Sequence, residues 1–231
     1  MDIFQREIKL IGEENYKKLA RAKVAVFGLG GVGSYVVEGL ARAGVGALEL
    51  CDNDVIAPHN INRQLYALHS TVGKKKVEVA LNRVKDINPN IAVSAHDCFF
   101  DKDSAKQFDF SFFTYVADCI DTVTSKILLC ECANRAGVKI ISSMGTGNKL
   151  NCDFKVSDIS KTKVCPLARV MRRELVKRNI KNLKCVYSEE IPVLLSEENE
   201  ERRTPASISY VPSSAGLLIA GEIIKDIINN T

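Results

Sequence analysis

Lys23-Val24-Ala25-Val26-Phe27-Gly28-Leu29-Gly30-Gly31-Val32-Gly33 is the stretch that decides the fold. A short continuous apolar run ending in glycine suits a strand buried on both faces, as in a parallel sheet. The glycines satisfy Gly-x-Gly-x-x-Gly, and residues 32–43 then read as a helix stopped by Gly44. Residues 47–51 form the next apolar run, and Asp52 follows it, 19 residues beyond Gly33. Strand, glycine turn, helix and strand within about 30 residues make a βαβ unit of the dinucleotide-binding kind. Gly28, Gly30, Gly31 and Gly33 allow a tight turn and close approach of backbone to a phosphate, which the free N–H groups of the helix start attract. Asp52 is placed to accept ribose hydroxyls.

Outward from that unit, the alternation continues. Residues 8–20 suggest an amphipathic helical lead-in, 75–87 a helix closed by Asn88-Pro89, and 124–135 a helix capped by Gly137. Residues 91–95, 115–117 and 138–142 read as strands, 166–180 and 214–228 as helices. The expected fold is α/β: a Rossmann-like, mostly parallel sheet with helices on both faces and an elaborated C-terminal part. One domain spanning 1–231 is expected, with an ATP-binding half (1–145) and a substrate-binding, dimer-contributing half (146–231).

Composition excludes several classes. Of 231 residues, 46% are hydrophobic and 26% charged, so wholesale disorder is ruled out. The longest apolar stretch, 211–228, is broken by Pro212, Glu222, Lys225 and Asp226 and fails as a membrane span. The start MDIFQREIKL lacks the apolar run of an export signal, so a cytoplasmic location is expected, and the eight cysteines read as reduced thiols. None forms a Cys-x-x-Cys pair, and no zinc is expected. Cys185 lies where a loop is expected but has no base partner, and reads as a structural thiol. His59, His69 and His96 show no ligand or triad spacing.

What separates ATP from a nicotinamide cofactor is the segment 52–64, DNDVIAPHNINRQ, together with Lys76. Splitting ATP between its α- and β-phosphates builds negative charge that cations must meet. Arg63 offers a planar fork and Lys76 a point charge. Opposite charges 4 Å apart interact by about 4 kcal/mol at an effective dielectric of 20. Asp121, after a strand, is placed to hold Mg²⁺ against phosphates; the competing reading is a cap for the following helix. Lys76 stands beside Lys74 and Lys75, and spacing alone does not single it out.

The run GLGGVGS, the acidic strand end with NINRQ, STVGKKKVE, INP and DCIDT together resemble the ubiquitin-activating-enzyme-like superfamily, which includes the ThiF and MoeB adenylating enzymes. The resemblance implies that Asp52, Asn60, Arg63, Lys76 and Asp121 contact ATP or its magnesium, with Asp54 and Gln64 completing the nucleotide set. It implies a homodimer in which Arg6 reaches the partner subunit's site. SSMGTGNK (142–149), VSDISKT (156–162), CPLAR (165–169) and SYVPSSAG (209–216) resemble the tRNA threonylcarbamoyladenosine dehydratase branch. That branch implies ATP-dependent cyclisation of the modified adenosine at tRNA position 37 through an acyl adenylate, with the substrate's own carbamoyl group as nucleophile.

Two other functions compete. Adenylation of the C-terminal glycine of a small ubiquitin-like sulfur carrier is weakened by the missing Cys-x-x-Cys pairs. A nucleotide-binding scaffold without chemistry predicts loss of Arg63, Lys76 or Asp121, and all three are present. From 161 to 184 nine basic residues face one acid, Glu174; Arg169, Arg172, Arg173 and Lys177 are the candidate tRNA contacts, opposite a face of Leu167, Met171 and Leu175. The same patch suits an acidic carrier protein. A cysteine desulfurase or other sulfur-transfer protein is a further candidate partner, and carbonyls of 145–147 suit a monovalent cation, Na⁺ or K⁺. The glutamate-rich stretch 189–201 is expected to be a crossover loop.

Overall fold

The computed structural model of the chain describes residues 3–193 and 205–229. The first apolar run is β1 (Lys23–Phe27), the glycine turn leads into α3 (Gly33–Arg42), and β2 (Ala47–Cys51) lies parallel to β1. The helical lead-in is two helices, α1 (Gln5–Ile11) and α2 (Glu13–Arg21), broken at Gly12, whose φ of 84° no helix tolerates. Only α2 buries a residue, Leu19. Then follow α4 (Lys76–Ile87), β3 (Ala92–His96), β4 (Tyr115–Asp118), α5 (Val123–Ala136) and β5 (Lys139–Ser143). Each lies within a few residues of its predicted place.

The last third holds more strand than its sequence announced. β6 (Phe154–Asp158), α6 (Pro166–Lys177), β7 (Lys184–Ser188) and α7 (Tyr210–Ile228) extend the same sheet, whose order is β3-β2-β1-β4-β5-β7-β6. All pairings are parallel except β6 against β7. β6 is a half-exposed edge, so it shows no apolar run to read. β7 sits behind the basic tract, yet four of its five residues are buried, including Cys185. Cys185 is therefore a core residue rather than a loop thiol, and burial pushes its pKa up to about 12.

Three apolar clusters hold the layers together. One joins α3, α4 and α7 to the sheet through residues such as Val36, Leu40, Leu48, Ala80 and Ile219. On the opposite face Phe27 stacks on Phe110 and meets Phe100 and Phe108 edge-on. The third joins α5, α6 and β7 through Ile127, Met171, Leu175 and Tyr187. α7 lies close on α3: a Cβ at Gly216 would stand 2.4 Å from the Val32 carbonyl oxygen. That packing anchors the first half of α7 beside the glycine turn. The strand order reverses between β1 and β4, and an open α/β sheet binds ligands outside the carboxyl ends of its strands at such a point. Of the 189–201 stretch, residues 194–201 lie outside the described residues.

Candidate nucleotide site and acceptor wall

The glycine turn is shaped by what it touches. Gly28 has φ of 87°, and a Cβ there would come within 2.6 Å of the Cys119 carbonyl oxygen. A Cβ on Gly33 would fall 1.8 Å from the Gly28 carbonyl oxygen. Gly33 therefore permits the turn from inside, while Gly28, Gly30 and Gly31 face a cavity of about 840 Å³ at the carboxyl ends of the strands. That volume lies within the range of small-molecule sites.

One wall of the cavity carries the nucleotide candidates: Asp52, Asp54, Asn60, Arg63, Gln64, Lys76 and Asp121 all line it. Asp52 ties the turn to the strand end, its Oδ2 accepting from Leu29 N at 2.6 Å and its Oδ1 from Asp54 N at 2.8 Å. Burial raises its pKa, against the pull of the Lys76 charge and of those two amides. Asn60 is buried, with Oδ1 accepting from Ala57 N at 3.0 Å. Gln64 is buried beneath Gly30.

The three adjacent lysines separate cleanly. Lys74 is exposed, and Lys75 pairs with Asp97 at 3.2 Å. Lys76 is buried with its Nζ 2.6 Å from Asp54 Oδ2. Arg63 Nη1 donates to the His59 carbonyl at 3.0 Å and to Asn62 Oδ1 at 2.9 Å, and no carboxylate pairs with it among the described residues. Its charge is free for an anionic ligand. Asp121 is exposed and does not cap α5: the cap position is Thr122, and no side chain there accepts a helix N–H. A solvent-facing carboxylate beside a phosphate site suits Mg²⁺, which keeps most of its waters and takes one or two carboxylates plus phosphate oxygens.

A second wall of the same cavity is built by residues 145–149, Pro166, Leu167, Pro205 and Ser207. Here the structure corrects the reading of α6. Its buried stripe is Ala168, Met171 and Leu175, while Leu167 turns to the cavity. Arg169 and Arg173 are exposed as expected. Arg172 turns inward, its Nη1 donating to the Thr162 carbonyl and Oγ1, both at 2.8 Å, because position 172 borders the buried stripe. Lys177 is paired with Glu174 at 2.6 Å. Arg6 is exposed on α1 and is not among the residues lining this chain's own cavity.

Sequence reasoning missed the tie that joins the two walls. Lys126, in α5, is fully buried with its Nζ 2.9 Å from the equally buried Asp118. It also donates to the Ile120 carbonyl at 3.1 Å and to the Ser143 carbonyl at 2.8 Å, and Ser142 Oγ donates to Asp118. The loop carrying Asp121 and the strand end leading to Gly145 thus hang from one ammonium group. A lone lysine in a helix gives no signal of this in sequence. Cys51 and Cys98 also line the cavity, with sulfur atoms 3.7 Å apart.

The model of the ThiF family matches residues 4–231. The chain belongs to the ThiF family. Among ThiF-family relatives it is 40% identical to the tRNA threonylcarbamoyladenosine dehydratase of Bacillus subtilis (strain 168), over 98% of this chain and 95% of that protein. The E. coli tRNA N6-threonylcarbamoyladenosine dehydratase in complex with AMP superposes with a TM-score of 0.90 at 30% identity, covering 97% of this chain and 93% of the other. The same enzyme in complex with ATP gives a TM-score of 0.88 at the same identity and coverage. Both solved structures hold an adenine nucleotide, AMP in one and ATP in the other.

Proposed function

We propose that this protein is an ATP-dependent tRNA threonylcarbamoyladenosine dehydratase. The observation that carries the reading is near-full-length similarity to such an enzyme in a chain whose glycine turn, free Arg63 and buried Lys76 share one cavity with an open second wall. ATP lies with its ribose at Asp52 and its phosphates on the turn and the N-terminal end of α3. Mg²⁺, held at Asp121, neutralises phosphate charge when bound. Arg63 and Lys76 meet the charge that builds on the α-phosphate and the departing pyrophosphate. An oxygen of the substrate carboxylate attacks the α-phosphorus, and pyrophosphate leaves. The substrate's carbamoyl group then attacks the acyl carbon, its N–H proton passes to water, and AMP departs with the original carboxylate oxygen. Held beside the mixed anhydride, that attack is intramolecular and gains the proximity advantage, so no protein nucleophile is needed.

Within this reading, Asn60 and Gln64 hold the nucleotide edge of the cavity. Arg169 and Arg173 take tRNA phosphates, and Arg6 completes the partner's site in a homodimer. The half that includes the second wall receives the substrate. The test is to incubate the protein with ATP, Mg²⁺ and tRNA bearing threonylcarbamoyladenosine and to weigh the digested nucleosides. Loss of one water with AMP formed is the expected result. An unchanged mass, with ATP–pyrophosphate exchange on a Gly-Gly-ended carrier protein, moves the function to sulfur-carrier adenylation.

A further inference from the structure

The second wall contains a buried cation whose ammonium group is held by a backbone carbonyl rather than by a carboxylate among the described residues. Lys149 is only 4% exposed and lines the cavity beside Gly147 and Asn148. Its Nζ donates to the Glu190 carbonyl oxygen at 2.5 Å, and no carboxylate lies within ion-pair distance of it among the described residues. The nearby Glu190 carboxylate is turned away to backbone amides, accepting from Leu150 N at 2.8 Å and Asn151 N at 3.0 Å. Burying an ammonium without an acid partner is costly, and such groups are normally paired or neutralised.

The backbone around it is held in place. Asn148 sits at φ of 56°, in the left-handed region. Its N–H donates to the Ala206 carbonyl at 2.8 Å, its Oδ1 accepts from Ala206 N at 2.7 Å, and its carbonyl accepts from Val193 N at 2.7 Å. Three hydrogen bonds thus fix the left-handed Asn148 next to a buried cation that has no ion pair among the described residues, the pattern of a preorganised anion site.

We propose that Lys149 is the anchor for the substrate carboxylate, an assignment that rests on the dehydratase reading. ATP already has Arg63 and Lys76 on the other wall, so the anion left to be drawn in is the carboxylate that must approach a polyanionic phosphate chain. Lys149 holds one carboxylate oxygen while the other attacks the α-phosphorus. The held oxygen becomes the carbonyl of the mixed anhydride and takes up the electron pair when the carbamoyl group adds to the acyl carbon. The same ammonium group therefore serves binding and ring closure.

The experiment compares wild type with Lys149→Met, Lys149→Gln and Lys149→Arg. It measures the ATP dissociation constant by calorimetry, steady-state constants with modified tRNA, and competition by tRNA bearing plain adenosine at the same position. Expected for Lys149→Met and Lys149→Gln are a rise of about tenfold or more in KM for modified tRNA and loss of preference for it over the unmodified competitor. ATP affinity stays within about twofold, and Lys149→Arg recovers part of the preference. Retained preference in the Met variant overturns the proposal, as does a fall in ATP affinity with tRNA binding untouched. A loss of thermal stability that Arg does not rescue, with preference intact, makes the lysine structural and equally overturns it. If wild type itself leaves the nucleoside mass unchanged, the dehydratase reading falls and the anchor falls with it; an active wild type with an indifferent Met variant sinks the anchor alone.

Discussion

The two walls of the cavity are built by different means. Most of the nucleotide wall is local: β1, the glycine turn, α3, β2 and the segment after it supply Gly28, Asp52, Asn60 and Arg63 from a stretch of 41 residues, 23–63. Lys76 comes from α4 and Asp121 from the loop after β4. The acceptor wall is assembled from chain segments far apart, with Gly145, Lys149, Leu167 and Pro205 meeting only after β6 and β7 have joined the sheet. On the first wall Arg63 has no carboxylate partner among the described residues, and the turn is set by its glycines and by the Asp52 carboxylate. On the second, side chains are committed to holding loops together. Chemistry is therefore expected to be most sensitive to the first wall, and stability to the contacts that hold the second.

The sharpest break between the walls is Arg63→Ala. Among the described residues its guanidinium supports only the His59 carbonyl and Asn62, so folding is kept while turnover falls by about 10²–10³. Steady-state rates beside a thermal melt check this; a rate within tenfold of wild type would remove Arg63 from the chemistry. Next comes the tie between the walls. Lys126→Met strands Asp118 in the core and costs about 3–5 kcal/mol of stability, read by chemical denaturation. A loss below 1 kcal/mol would show that Asp118 finds another partner.

A smaller effect separates the arginines of α6. Arg169→Ala or Arg173→Ala each lowers the slope of log tRNA affinity against log salt by about 1 and leaves the melting temperature alone. Arg172→Ala does the reverse, because its hydrogen bonds go to Ile159 and Thr162 inside the protein. Identical slopes for all three would contradict the inward placement of Arg172.

The smallest concerns Asp52. Burial raises its folded-state pKa above the unfolded value, so the protein gains stability from protonating it. That contribution is present below the ordinary aspartate range and is lost as pH rises through the raised folded value. Asp52→Asn should therefore gain on wild type as pH climbs out of the acid range, in melts across that interval. A difference that does not move with pH would place the cause of the shift elsewhere.

How much of this was legible in sequence follows the same division. β1 and β2 are predicted to the residue, because a buried parallel strand is an unbroken apolar run and the glycines punctuate it. Lys76 could not be told from Lys74 and Lys75 by spacing; only burial and Asp54 distinguish it. β6 and β7 escaped notice because one is a half-exposed edge and the other is five residues long behind a charged tract. Arg172 was misplaced because a helix face read from Leu167, Met171 and Leu175 is rotated slightly from the true stripe of Ala168, Met171 and Leu175. Lys126 and Asp118 owe their surroundings to strand pairing and Lys149 to a loop contact 41 residues away, and neither carries a local pattern.

In the proposed reaction the substrate carboxylate is activated by transfer of adenylate to one of its oxygens. Threonylcarbamoyladenosine tRNA carrying heavy oxygen in both carboxylate positions would be turned over with unlabelled ATP, and the products weighed. Adenylate transfer to a carboxylate oxygen places one heavy oxygen in AMP, retains one in the cyclised nucleoside and leaves none in pyrophosphate. Unlabelled AMP, or label in pyrophosphate or its hydrolysis product, would contradict it.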